Sequence, residues 1–153
     1  MEKFDSIREE KLLLFEYIRG SHAYGLNIET SDVDTSAIYV CPTDALLGIG
    51  DDYTDMVSDE KGDTTWYELG KFMSMLAKRN PTVLEALFVD EKFIKYEHPL
   101  FSELRKHRQE FVTKDCFNAF IGYALDQIRK ARGLNKKIVM QPIKEHLQPI
   151  DFC

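Results

Sequence analysis

The sequence predicts an α+β (α/β) fold, a small sheet built from roughly the first 70 residues and followed by helices. Three observations carry that expectation. Residues 12–18 form a compact apolar run closed by Arg19-Gly20-Ser21, the pattern of a buried strand entering a glycine turn. Residues 33–40 alternate and are rich in β-branched and aromatic side chains, as a second strand would be, up to Pro42. Beyond residue 67, apolar side chains recur at helical spacing.

The elements follow in order. Residues 6–11 read as a short helical turn capped by Asp5 or Ser6. Between the first two strands lies a short polar segment, with Gly25 and Asn27 as turn formers. Residues 43–61 are acidic and loosely patterned, with a short helix expected at 44–47. Gly62-Asp63-Thr64-Thr65-Trp66 reads as a third strand. Over 67–78, Leu69, Phe72, Met73 and Leu76 share one helical face. Asn80-Pro81 is a helix opening, with Asn at the N-cap and Pro in the first turn; Val83, Leu84, Leu87 and Phe88 then form the buried stripe. A brief strand is expected at 93–96, then helices at 99–111 and 115–132, the last broken by Gly133.

Composition narrows the class. Of 153 residues, 44% are hydrophobic and 30% charged, which excludes a disordered tail and a collagen-like repeat. The longest apolar run, Leu12-Leu13-Leu14-Phe15, is far short of the ~20 residues that span a bilayer. The acidic start lacks the basic and apolar regions of a signal peptide, and a cytoplasmic protein with no membrane partner is expected. Cys41, Cys116 and Cys153 are widely spaced and contain no CxxC pair, which argues against a disulfide framework or a zinc ribbon. Cys41 is expected to be a small buried residue and not a nucleophile, and Trp66 is expected in the core. The net charge of −6 is asymmetric: residues 1–80 carry 8 basic and 16 acidic side chains, residues 81–153 carry 12 and 10. The segment 126–144 alone has six basic residues against Asp126. A solvated helix face explains such a segment, and so does a polyanion site.

The chemistry concentrates in Gly20-Ser21 and Asp32-Val33-Asp34. On a strand, Asp32 and Asp34 would project from one face, and two carboxylates that close repel unless a cation lies between them. A hard divalent ion, Mg²⁺, suits such a pair together with substrate phosphates. The Gly-Ser turn can bring backbone N–H groups and a hydroxyl to phosphate oxygens. Ser21 reads as a phosphate ligand or as the cap of the next helix. His22 and Tyr24 read as surface residues or nucleotide contacts.

Ile18-Arg19-Gly20-Ser21-His22-Ala23-Tyr24-Gly25, followed by Ser31-Asp32-Val33-Asp34, resembles the signature of the DNA polymerase β-like nucleotidyltransferase superfamily. Within it, the likeness is to the bacterial and phage group of predicted nucleotidyltransferases. Tyr67-Glu68-Leu69-Gly70-Lys71-Phe72 resembles the helix after that group's third acidic position. Asn80-Pro81-Thr82-Val83-Leu84-Glu85-Ala86-Leu87 resembles its Asn-Pro helix, and Tyr123, Gln127 and the 131–137 stretch its later helix and basic segment. The resemblance implies a small mixed sheet with C-terminal helices, divided as a catalytic core over 1–96 and a helical extension over 97–153. It implies transfer of a nucleoside monophosphate from an NTP, ATP included, to an acceptor hydroxyl, with release of pyrophosphate. Two Mg²⁺ ions, with Mn²⁺ as the alternative, would be held by Asp32, Asp34 and a third carboxylate, Asp63, with Glu60 and Glu68 as rivals. Gly20, Ser21 and Lys71 would bind the nucleotide, although Lys71 reads equally as the exposed side of its helix. Thr35-Ser36-Ala37 departs from relatives that carry a basic residue after the second aspartate. The acceptor stays open among an RNA end, a protein hydroxyl and a small molecule. The other class of function is a catalytically silent nucleotide-binding regulatory or antitoxin-like module; a DxD glycosyltransferase needs a larger sheet. Group members continue with further helices, so self-association through the apolar C-terminal end is a further expectation.

Overall fold

The structure, a computed structural model, describes residues 2–9, 11–49 and 53–131. The break at Gly133, most of the basic segment 126–144 and the apolar ending lie outside these residues. In chain order the elements are α1 (Glu2–Glu9), β1 (Leu13–Ile18), α2 (Ser21–Tyr24), β2 (Thr35–Tyr39), α3 (Thr43–Leu46), β3 (Met56–Ser58), β4 (Thr64–Glu68), α4 (Leu69–Ala77), α5 (Pro81–Ala86), β5 (Ile94–Glu97), α6 (Pro99–Lys106) and α7 (Cys116–Ala131). Short 3₁₀ turns occupy Glu91–Phe93 and Arg108–Phe111. The fold is α+β, with a mixed five-stranded sheet in the order β3-β4-β2-β1-β5. β2 and β4 are parallel; the other neighbours are antiparallel. Two compact units divide the chain, Met1–Phe120 and Ile121–Cys153, and the sheet belongs to the first.

Alternation along the strands builds a core on each face of the sheet. On one face Phe15, Tyr17 and Ile38 pack against Phe72, Leu76, Val83, Leu84, Leu87 and Phe101, with Phe15 and Phe101 stacked at 4.4 Å between ring centroids. On the other, Ala37, Tyr39 and Trp66 meet Ile7 and Phe4 of α1. β2 is therefore buried along its whole length. α1 is tied down by Arg8, whose guanidinium donates two 2.8 Å bonds to the buried Glu16 carboxylate and lies 5.0 Å from the Trp66 ring centroid.

Several sequence expectations shift. The first helix opens at Glu2, ahead of Ser6. The second strand starts at Thr35, not Val33, because strand pairing with both neighbours begins there: Thr35 faces Ile18 on one side and Thr64 on the other. Asp32, Val33 and Asp34 lead into the strand and are not part of it. Tyr67 and Glu68 end β4 instead of opening a helix, since Tyr67 is paired with Ile38 and Met56. β3 was not expected; three partly exposed residues at a sheet edge are too short for a period to show. The 99–111 helix is α6 plus a separate 3₁₀ turn. Asn80 caps α5 as expected, its Oδ1 accepting from the Thr82 N–H at 3.0 Å. No helix among the described residues is long and apolar enough to cross a membrane.

Candidate active site

β1 delivers Gly20 to the site at φ +72°, ψ −148°, a conformation open to glycine and strained for other residues. A side-chain carbon built at Gly20 would collide with an Asp34 carboxylate oxygen, and would lie only 3.3 Å from the Asp34 Cγ. Glycine is thus what lets the Asp34 carboxylate close onto the backbone of the turn. α2 starts directly after it, with Gly20 and not Ser21 at the N-cap, and stops at Gly25 in the left-handed region. That removes the capping role considered for Ser21.

Asp34 and Asp63 stand at the heads of two adjacent parallel strands. The Thr35 N–H donates to the Asp63 carbonyl at 2.8 Å, and Thr35 is in register with Thr64. The Arg19 N–H donates to the Asp34 carbonyl at 2.9 Å, which joins the end of β1 to the same place. Asp34 and Asp63 are half-buried, while Asp32 is exposed. Among the described residues, no group of three or more His, Cys, Asp or Glu side chains is gathered closely enough to hold a metal ion.

A residue without a role in the sequence reading connects these segments. The Arg19 Nη2 donates to the Gly62 carbonyl at 2.9 Å and to the Thr65 hydroxyl at 3.4 Å, and its Nε to the Thr35 carbonyl at 3.4 Å. The available signal was a charged residue at the very end of an apolar strand, immediately before a glycine turn.

A family model for RlaP, the RNA repair pathway DNA polymerase beta family, matches residues 1–144. The chain belongs to this family. It is by family a polymerase β-type nucleotidyltransferase, in agreement with the resemblance carried by Gly20-Ser21 and Asp32-Val33-Asp34. Searches of curated proteins and of solved structures gave no match.

The remaining candidates of this RlaP-family chain are dispersed. Lys71 lies beyond the far end of β4 from Asp63, and its ammonium is paired with Asp55 at 2.9 Å, so it is not brought to Asp34 and Asp63. Glu68 is at that far end as well. It is not a solvated helix-face residue: it is buried and caps α4, accepting from the Gly70 N–H at 2.6 Å, the Lys71 N–H at 3.3 Å and the Tyr53 hydroxyl at 3.2 Å. His22 lies 3.3 Å from the Ser31 carbonyl through Nε2, and the Tyr24 hydroxyl bonds to Glu85 of α5. Cys41 is buried and donates to the Thr54 carbonyl at 3.6 Å; burial pushes its thiol up, away from nucleophile behaviour. Tyr17 has its phenol pushed up to about 12 by burial, which outweighs the opposing effect of its hydrogen bond with Ser36. Ser36, in the segment after Asp34, donates to the Thr65 carbonyl at 2.8 Å. A cleft of about 940 Å³ runs along the α1 face and reaches Asp63 and Thr35, with Arg8, Lys61, Lys95, Asp59 and Glu60 among its walls.

Proposed function

We propose that the protein transfers a nucleoside monophosphate from an NTP to an acceptor hydroxyl, releasing pyrophosphate, with Asp34 and Asp63 at the two strand heads, and Asp32 brought in beside them, as the residues that would hold divalent metal; the three side chains are not gathered without it. The observation that carries the proposal is the joint placement of Asp34 against the Gly20 backbone and beside Asp63 across the β2–β4 pair. Three carboxylates are hard oxygen donors and suit Mg²⁺ or Mn²⁺. When bound, such ions neutralise the triphosphate and lower the pKa of the acceptor hydroxyl. Gly20 and Ser21 would receive the phosphates at the turn through backbone N–H groups and the Ser21 hydroxyl, next to the Asp34 carboxylate. Asp63, which lines the 940 Å³ cleft, would face the acceptor. The chain's own contribution is alignment of donor and acceptor, together with placed charge.

The family description, with its RNA repair pathway, favours an RNA end as acceptor over a protein hydroxyl or a small molecule. The six basic residues of segment 126–144 point the same way.

The test is release of pyrophosphate from each NTP, with and without Mg²⁺, in the presence of RNA ends, proteins and small hydroxyl compounds. Mg²⁺-dependent release with RNA, abolished in Asp34→Asn, is the expected result. Full activity in Asp34→Asn refutes the site. Tight NTP binding without turnover on any acceptor supports the nucleotide-binding module instead.

A further inference from the structure

We infer that Arg19 is a positioning residue, which clamps the Gly62-Asp63 loop to the head of β2 and so sets where the Asp63 carboxylate stands. The inference rests on the assignment of Asp34 and Asp63 to the site made above.

On its β3 side this loop is closed by Asp59, which accepts from the Gly62 N–H at 3.3 Å and, through Oδ1, from the Thr64 N–H at 3.2 Å; its side toward β2 is where Arg19 acts. The parallel β2–β4 ladder begins at the Thr35–Thr64 pair, and the Thr35 N–H to Asp63 carbonyl bond is the last backbone link between β2 and the loop. Gly62, at φ +81°, has already turned away from strand geometry. Its carbonyl is taken by the Arg19 Nη2 at 2.9 Å, while the same guanidinium reaches the Thr65 hydroxyl and, through Nε, the Thr35 carbonyl, each at 3.4 Å. One side chain therefore bonds on both sides of Asp63 and directly after Asp34. Its own backbone N–H holds the Asp34 carbonyl at 2.9 Å. Only a planar group with several fixed donors can serve acceptors on two strands and a loop together; a lysine ammonium is a point charge on a flexible stem. Arg19 also brings a permanent cation to the segments that carry two carboxylates. Arg19 reaches this place from the neighbouring strand.

The experiment uses the full chain with Arg19→Gln and Arg19→Lys, reading amide hydrogen exchange and NTP turnover. In Arg19→Gln, exchange over 61–64 is expected to rise about tenfold, the loss of one charged hydrogen bond, while β1 and the centre of β4 keep their protection. The kcat is expected to fall by up to about 100-fold, as misplacement of a reacting group does, with the KM for NTP nearly unchanged. Arg19→Lys should recover part of both losses. Wild-type exchange and kcat in Arg19→Gln overturn the inference, and so does equal acceleration of loop and sheet, which would make Arg19 a general stabiliser. Should Arg19→Gln fail to fold, Arg19→Lys carries the same comparison. If the wild-type chain turns over no NTP, the proposed function fails while the exchange measurement still decides the clamp.

Discussion

Gly20 joins a backbone requirement and a chemical one at a single residue. Its φ of +72° strains any other side chain, and a Cβ there would strike the Asp34 carboxylate. Gly20→Ala is therefore expected to displace Asp34 at a stability cost of about 1–3 kcal/mol, with a disproportionate loss of turnover. Urea denaturation and pyrophosphate release on the same sample separate the two effects. Two acidic residues of β4 and its approach, Asp63 and Glu68, make the complementary case. The sequence left both as third-carboxylate candidates. Glu68 is buried with three donors on its carboxylate, two of them backbone N–H groups of α4. Glu68→Ala strands those donors and is expected to cost about 2 kcal/mol while each folded molecule keeps its activity. Asp63→Asn should do the reverse, with near wild-type stability and little turnover. The same activity loss per folded molecule in both variants would contradict the division of roles.

At the scale of elements, α1 is attached to the sheet through a mismatched ion pair. The Arg8 side chain is 49% exposed and the Glu16 side chain only 6%. The cost of removing either partner is then unequal. Arg8→Ala leaves a buried carboxylate without its two 2.8 Å donors and also uncovers the Trp66 ring, so a loss of about 1–3 kcal/mol is expected. Arg8→Ala combined with Glu16→Leu should cost less than Arg8→Ala alone, because no charge is then left unpaired in the core. Thermal denaturation of the two variants checks the order. β2 makes a related point about boundaries. Its residue pattern continues back to Val33, but a strand exists only where β1 and β4 both run alongside, from Thr35 onward.

Across the molecule the charges are unevenly shared, with an excess of eight acidic side chains over residues 1–80 and of two basic ones over 81–153. If RNA is the acceptor, its binding must draw on the basic part, and each phosphate neutralised adds roughly −0.7 to the slope of log affinity against log salt for a single strand. The Lys130–Asp126 pair at 2.9 Å spends one of those charges within α7. A slope of about −2 to −3 is expected for the wild-type chain, reduced by a double Lys136→Gln, Lys137→Gln variant. Filter binding between low and moderate salt measures it, and a flat dependence would remove the polyanion reading.

Periodicity and turn chemistry determined the fold class, four of the five strands and the Asn-Pro cap of α5. Each of these depends on neighbours within a few residues: an apolar run, an alternation, a glycine, an amide side chain before proline. The aspartate pair and the Gly-Ser turn were likewise visible as a motif. Tertiary structure alone decided which distant residues meet. Nothing local tells that Glu68 is a buried cap, that Lys71 is held by Asp55 at the wrong end of β4, or that Arg19 reaches Gly62, 43 residues away. The parallel register of β2 and β4 brings Asp63 beside Asp34, and a parallel pairing joins segments whose separation in the chain leaves no mark on either one.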